Sequence, residues 1–304
     1  MGKSEKRVLL SGASGLIGSA FRVTAENESY KVTKLVRRHR LASEGAIYWN
    51  PTKPKAPVHP MELEGFDAVV HLSGANVAQR WTEAYRREIV SSRVVSTQAL
   101  CESLAAVNRK PRVLVCASAI GVYGDRGDAL LTEASAAGSG FLADTCEAWE
   151  AATKKASDVG IRVVHLRFGV VLSREGGALK KLLPAFRVGL GGRLGSGRQW
   201  MSWISLRDAI RVLLFLMERE DLAGAFNLTA PNPVTNARFT RELARALHRP
   251  ALLPIPVAAL RLIFGAMADA TLLASARVLP RKLMDAGFRF EDEEIGPALH
   301  ALLG

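Results

Sequence analysis

Three glycines at a spacing of three constrain this chain more than any other feature: Gly12, Gly15 and Gly18, in Lys6-Arg-Val-Leu-Leu-Ser-Gly-Ala-Ser-Gly-Leu-Ile-Gly18. The apolar run Val8-Leu9-Leu10 before them suits a strand buried on both faces of a parallel sheet. After such a strand the glycines serve a tight turn, close backbone approach to a pyrophosphate, and close packing of helix on strand. A helix opening near Gly15 turns its free N–H groups and the positive end of its dipole toward an anion. The stretch predicts a nucleotide site in which Gly12, Ser14, Gly15, Leu16, Ile17 and Gly18 form the phosphate cradle.

The second strand decides which dinucleotide is expected. Residues 30–36 read Tyr-Lys-Val-Thr-Lys-Leu-Val and run into Arg37-Arg38-His39-Arg40. An NAD-preferring site carries an acidic residue about twenty positions beyond the fingerprint, on the ribose hydroxyls. Here the position holds Arg37. Arginine grips a 2′-phosphate in fork geometry and does not replace a carboxylate contact to a hydroxyl. NADP(H) is therefore favoured over NAD(H), with Arg37 and Arg38 as partners of the phosphate. The competing reading is a solvated basic turn.

Downstream, strand and helix alternate. The apolar segment 66–72 ends in Leu72-Ser73-Gly74-Ala75, small enough to let the backbone lie against a cofactor. Ser73 or Asn76 could instead cap the next turn. Residues 82–107 read as one long helix with Thr82 as N-cap, 111–118 as a strand with Cys116 in the core, 140–159 as helix and 161–166 as strand. This alternation predicts an α/β fold, a Rossmann-type doubly wound parallel sheet. The glycine-rich stretch 189–197 lacks the Lys-Ser/Thr ending of a P-loop and reads as a flexible loop over a substrate cleft. Gln199, Trp200 and Trp203 in the strand-like segment 199–204 are candidates to line that cleft, with packing as the alternative for the tryptophans. A helix at 206–217, a strand at 225–228 and helices at 235–247 and 256–267 complete a smaller, mostly helical C-terminal lobe. The expected division is a Rossmann domain over 1–170 with returning elements from 205–230, substrate-lobe segments over 171–248, and a small domain over 249–304.

Composition narrows the function classes. Cys101, Cys116 and Cys146 have no metal-ligand spacing and cannot all pair, which fits a reducing cytoplasm and no metal site. The apolar region 251–276 is interrupted by Pro254, Pro256, Arg261 and Asp269, so packed helices are expected there and no membrane span. No targeting segment is evident. The net charge of +12 raises nucleic-acid binding, but the basic residues are spread along the chain without a binding motif, and none is expected. Neither Gly-x-Ser-x-Gly nor His-Glu-x-x-His occurs, leaving triad and metal hydrolysis without support.

Gly12-x-x-Gly15-x-x-Gly18, His71-Leu-Ser-Gly74, Ser118 with Val122-Tyr123-Gly124, Leu166-Arg-Phe-Gly169 and Trp203-Ile-Ser-Leu-Arg-Asp208 together resemble the extended short-chain dehydrogenase/reductases, in their sugar-nucleotide epimerase/dehydratase branch. More narrowly, Trp149-Glu150 and Gly195-Ser-Gly-Arg-Gln-Trp200 are similar to an atypical subgroup, the cell-division-inhibitor-like NAD(P)-dependent epimerase family. Its C-terminal domain of unknown function is resembled from Arg249 onward. The resemblance implies a Rossmann core binding NADP(H) beside a cleft for a small substrate, and oxidoreductase or epimerase chemistry by hydride transfer. Family members often pair through helices like 82–107, so a homodimer is an expectation it carries.

One departure bears on activity. Working dehydrogenases of the parent family place Tyr-x-x-x-Lys on the helix after the serine strand, one helical turn apart, so that the lysine favours tyrosinate. This chain has Cys146-Glu-Ala-Trp-Glu150 there. A nearby carboxylate keeps a thiol protonated. Cys146 is therefore either a small buried hydrophobe or a thiol of the reaction site. Ser118 keeps the family position that polarises a substrate carbonyl, and Tyr123 is a candidate substitute acid or a ring packed over the cleft. The alternative is a protein that binds NADPH without turnover, as a redox-state sensor or partner-binding module.

Overall fold

The computed structural model describes residues 6–42, 45–51 and 58–304. The first five strands, β1 (Lys6–Ser11), β2 (Tyr30–Val36), β3 (Ala46–Tyr48), β4 (Ala68–His71) and β5 (Val113–Ala119), join the strands Arg162–Phe168 and Gly224–Leu228 in one seven-stranded sheet. The order runs from Gly224–Leu228 through Arg162–Phe168, β5, β4, β1 and β2 to β3, and every pairing is parallel. The chain leaves β1 in one direction to β2 and β3, then returns to place β4 on its other side. That reversal opens a crevice at the carboxyl ends of β1 and β4, where α/β sheets bind their ligands.

Alternation along each strand splits the interior into two layers. Val8, Leu10, Val113 and Val115 face one side, against Phe21 and Ala25 of α1 (Leu16–Asn27) and against the helix Leu206–Glu218. Leu9, Val69, Leu114 and Cys116 face the other, against Leu100, Cys101 and Leu104. Both faces are covered, which is why these strands read as unbroken apolar runs.

The connecting helices differ from the sequence expectation in informative ways. The segment 82–107 is two helices, α2 (Glu83–Ser91) and α3 (Val94–Ala105). Thr82 does cap the first, accepting from Tyr85 N–H at 3.1 Å. The break falls at Arg93, whose guanidinium turns back to donate to the carbonyls of Ala75 and Ile89 at 2.9 and 3.2 Å and lies over the Trp149 ring. A tertiary demand overrides a continuous helical stripe. Likewise 140–159 divides into α4 (Phe141–Ala151) and α5 (Lys154–Asp158), where Thr153 bonds the Glu150 carbonyl and His165.

The second half builds the smaller lobe from α6 (Gly177–Arg187), α7 (Leu206–Glu218), which packs back on the sheet, α8 (Asn236–Ala246), α9 (Val257–Phe264), α10 (Arg281–Asp285) and α11 (Ile295–Leu303). A third core joins Leu179, Leu183, Phe239, Leu243 and Leu299 around Trp203. Segment 199–204 is two short strands, Trp200–Met201 and Trp203–Ser205, paired with different partners. The helix expected at 256–267 stops at Phe264, because Gly265 takes φ +60° and a π-helical turn, Ala268–Leu272, follows. The glycine loop 189–197 is pinned: Gly195 N–H bonds Ile255 O, Ile255 N–H bonds Arg193 O, and a Cβ on Gly192 would stand 1.7 Å from Leu253 O. It is a packed crossing of two chain segments, a correction to the flexible loop expected there. Asp208, buried in the first turn of α7, accepts from the N–H groups of Glu291 and Asp292 and so ties the C-terminal segment to the sheet layer. No helix among the described residues is long and apolar enough to cross a membrane.

The glycine turn is the tightest point of the fold. A Cβ on Gly18 would lie 2.2 Å from Gly12 O, and one on Gly12, at φ +74°, 2.7 Å from the Leu72 carbonyl. Gly18→Ala must push α1 off the turn, and a loss of at least about 2 kcal/mol is expected in urea unfolding. An unchanged midpoint and slope would refute this packing.

Candidate cofactor and reaction site

Two clusters stand at the carboxyl ends of the strands. The first is the turn after β1. Gly15 N–H closes it on Gly12 O at 3.0 Å and Gly15 N-caps α1 in an extended conformation. No side chain caps this helix and no acidic residue stands in its first turn. A Cβ on Gly15 would meet only Gly12 O, so its outer side is open to close approach. Ser14 and Gly15 are exposed, with Leu16 and Ile17 half-buried behind them. This geometry fits the phosphates of a dinucleotide, for which the helix end would supply N–H donors and a positive dipole.

Around the turn lie the other cofactor candidates. Arg37 and Arg38 follow β2, the strand beside β1, and both are exposed. Leu72, Ser73, Gly74 and Ala75 leave β4 on the other side, against Gly12 and Arg93. Beneath them His71 is fully buried. Its Nδ1 lies 2.7 Å from Ser11 Oγ, which accepts from Leu72 N–H at 3.2 Å. Nε2, on the far side of the ring, is buried and meets no hydrogen-bond partner among the described residues. Burial lowers the imidazole to about 4, so it is a core support of the turn and no base at neutral pH.

The second cluster gathers at the ends of β5 and the strand Arg162–Phe168. Arg167, paired in register with Ser118, meets Glu150 of α4 in a two-pronged ion pair, Nε to Oε1 at 2.8 Å and Nη2 to Oε2 at 2.9 Å. Ser118 Oγ donates to the same Oε1 at 2.7 Å. The third prong, Arg167 Nη1, donates to Tyr123 OH at 2.9 Å, and Tyr123 donates in turn to Asn227 Oδ1 at 2.7 Å. Asn227 is fixed by its amide to Leu279 O and by its own N–H to Glu133. The Arg167 and Glu150 side chains are only 13% and 15% exposed.

The electrostatics follow from these contacts. Burial opposes the charge on Glu150, but the hydrogen bonds from Arg167 and Ser118 and the guanidinium charge outweigh it and hold the carboxyl below its ordinary range. Burial also opposes the charge on Arg167, and Glu150 overcomes it, keeping the arginine charged. Tyr123 is raised above the ordinary phenol value by burial, against the pull of Arg167. Cys146, packed with Val122, Leu131 and Val278, is pushed up to about 11 by burial and then by Glu150. It is a neutral thiol. The protons of Ser118 and Tyr123 are both committed to neighbours.

The residues proposed for a substrate cleft separate. Trp203 is fully buried in the third core with Nε1 on Asn232 O, which removes it from any cleft. Trp200 is half-buried, donates to Asp128 at 2.7 Å and carries the Arg277 guanidinium 4.3 Å above its ring. The Gln199 amide bridges Leu194 O and Leu272 O. Two site residues escaped sequence reasoning, Arg167 and Asn227. Each is a polar residue inside an otherwise apolar strand, in Leu166-Arg-Phe and Phe226-Asn-Leu, and that interruption was the available signal.

Comparison with known proteins finds matches along most of the chain. The model of the NAD dependent epimerase/dehydratase family matches residues 8–229, and that of a domain of unknown function, DUF1731, matches residues 255–302. An epimerase family protein of Mycobacterium bovis is 45% identical over 293 residues, 96% of each chain. Among solved structures, the human epimerase family protein SDR39U1 (isoform 2) with NADPH superposes with a TM-score of 0.89 at 32% identity, covering 98% of this chain and 99% of that one. A nucleoside-diphosphate sugar epimerase of Corynebacterium glutamicum gives 0.82 at 34% identity, covering 99% of this chain and 59% of that one.

Glu150→Gln leaves Arg167 buried beside a neutral partner, and a loss of about 3 kcal/mol is expected in urea unfolding at pH 7. Because the folded value of Glu150 is depressed, its contribution is present above the unfolded value of about 4.3 and disappears as pH falls through the folded one. The gap between wild type and variant should therefore close on acidification. A gap below about 0.5 kcal/mol at pH 7 would show that the pair does not hold the site together.

Proposed function

The chain belongs to the NAD dependent epimerase/dehydratase family, and from that premise we propose that it binds NADP(H) and acts by hydride transfer on a small substrate, as an atypical oxidoreductase or epimerase. The observation that carries the cofactor is the placement of Arg37 and Arg38 at the end of β2, next to a glycine turn and an uncapped helix N-terminus. The NADPH in the human relative's structure supports the same choice. When bound, the nicotinamide would supply or accept hydride. The residues of this chain would hold the phosphates at Gly12–Gly18, grip the 2′-phosphate with Arg37, and border the reacting end with Ser118, Tyr123 and Glu150. The three cysteines are unpaired and buried, which supports a reducing compartment.

A specific observation favours a second reading, an NADPH-binding sensor or partner-binding module without turnover. No tyrosine-lysine couple stands at α4, the hydroxyl protons of Ser118 and Tyr123 go to Glu150 and Asn227, and the Cys146 thiol is neutral. Proton transfer through these groups would require the network to open first.

Titration of wild type and Arg37→Ala with NADPH and NADH tests the cofactor. Loss of one charge-assisted contact should weaken NADPH binding roughly tenfold to a hundredfold, to the NADH level, with NADH unchanged. Equal affinities that ignore the substitution would return Arg37 to a solvated turn. NADPH oxidation with a defined carbonyl substrate, lost in Ser118→Ala, would decide for the enzyme. Tight NADPH binding with no turnover across a broad screen would decide for the sensor.

A further inference from the structure

A groove of about 620 Å³ lies on the C-terminal lobe, lined by α8 on one side and by residues 249–252 and Arg193 on the other. Its floor is Ala237, Thr240 and Ala244, one stripe of α8 at helical spacing. The neighbouring stripe, Arg241, Arg245 and His248, forms a rim, and Arg193 and Arg249 face it. None of the lining residues is acidic. Of the arginines, Arg245 pairs with Glu242 at 3.1 Å and Arg241 lies 3.8 Å from it, while among the described residues Arg193 and Arg249 reach only backbone carbonyls. Among the described residues one carboxylate, Glu242, thus stands against these four guanidinium groups.

Beyond the rim the surface turns apolar. Arg249 Nε bonds Arg187 O and Gly189 packs on Pro250, which sets residues 187–190 beside 249–253. Val188, Leu190, Leu252 and Leu253 all project there, between 64% and 85% exposed. Large aliphatic side chains gathered beside a polar rim mark an interaction surface. The chain enters this surface through His248, held at φ +53°, a left-handed conformation that costs a non-glycine residue roughly 1 kcal/mol or more.

We propose that this groove and the adjoining aliphatic patch dock an acidic segment of a partner protein, its carboxylates on the arginine rim and its aliphatic side chains on the apolar surface. Charge complementarity selects the acidic partner, since the rim presents an almost uncompensated positive field. The concave floor, continued by an aliphatic strip, suits inserted side chains better than a flat lipid surface, and aliphatic groups have no counterpart on a nucleic-acid backbone. The surface is separate from the glycine turn and the Arg167 cluster, so the proposal stands whether or not NADP(H) is the cofactor.

The test is fluorescence polarisation with a labelled amphipathic peptide, leucine on one face and glutamate on the other, titrated with the full chain. Binding is expected to weaken at least roughly tenfold in Arg241→Glu/Arg245→Glu/Arg249→Glu, and also in Leu252→Ser/Leu253→Ser, whose charge is intact. Reversing Arg87, Lys155 and Lys180 elsewhere should leave it unchanged, and every variant should keep the wild-type far-ultraviolet circular dichroism at the assay temperature. The proposal is overturned if the remote reversal weakens binding as much as the rim reversal, or if a peptide with lysine in place of glutamate binds equally. It is also overturned if duplex DNA or phosphatidylserine vesicles bind at this surface and the acidic peptide does not.

Discussion

The site end of this molecule depends on the buried ion pair between Arg167 and Glu150. Taking both charges out of water costs several kcal/mol each, and the geometry recovers it by satisfying nearly every donor and acceptor the pair has. The guanidinium is spent on two carboxylate oxygens and one phenol, and the carboxylate takes Ser118 as well. The pair therefore cross-links β5, α4, the strand Arg162–Phe168 and the turn at Tyr123, and through Asn227 it reaches the edge strand Gly224–Leu228. Arginine is suited to this work because its planar fork meets a carboxylate along two parallel bonds.

That arrangement changes what the strand ends can do. A tyrosine beside a lysine loses its proton readily and exchanges it with a substrate. Here a neutral thiol and a carboxylate occupy those two positions, and the carboxylate's charge is consumed by Arg167. The glycine turn, by contrast, keeps an open backbone at Gly15 and a helix N-terminus without a side-chain cap. An open glycine turn thus stands beside a hydrogen-bond network in which the protons of Ser118 and Tyr123 are committed to neighbours. The cationic groove on α8 adds a third surface, built from arginines that neither of the other two uses.

Much of this was legible in the sequence because the signals are local. Gly12, Gly15 and Gly18 mark the turn, the apolar alternation of Val8, Leu9 and Leu10 marks a two-faced strand, and Arg37 stands where an acid would otherwise be. The doubly wound sheet and its helical lobe followed from the same alternation. What escaped was set by contacts distant in sequence. The break at Arg93 serves a loop 18 residues earlier, Thr153 interrupts a helix to meet His165, and the loop at 189–197 is held by residues near Ile255. Trp203 looked like a cleft aromatic only because its surroundings, Leu183, Phe239 and Leu299, come from three separate helices. Arg167 was passed over for the same reason, since its partners lie 17 and 44 positions away.

Tyr123, locked between Arg167 and Asn227, holds its proton at neutral pH. Ultraviolet difference titration of the intact protein, with Tyr123→Phe as the reference, reads this directly from tyrosinate absorbance. No signal dependent on Tyr123 should develop between about pH 6 and pH 9, because its phenol lies above the ordinary value of about 10. A tyrosinate that forms in that window and vanishes in Tyr123→Phe would contradict the account, and would restore a working base to the site.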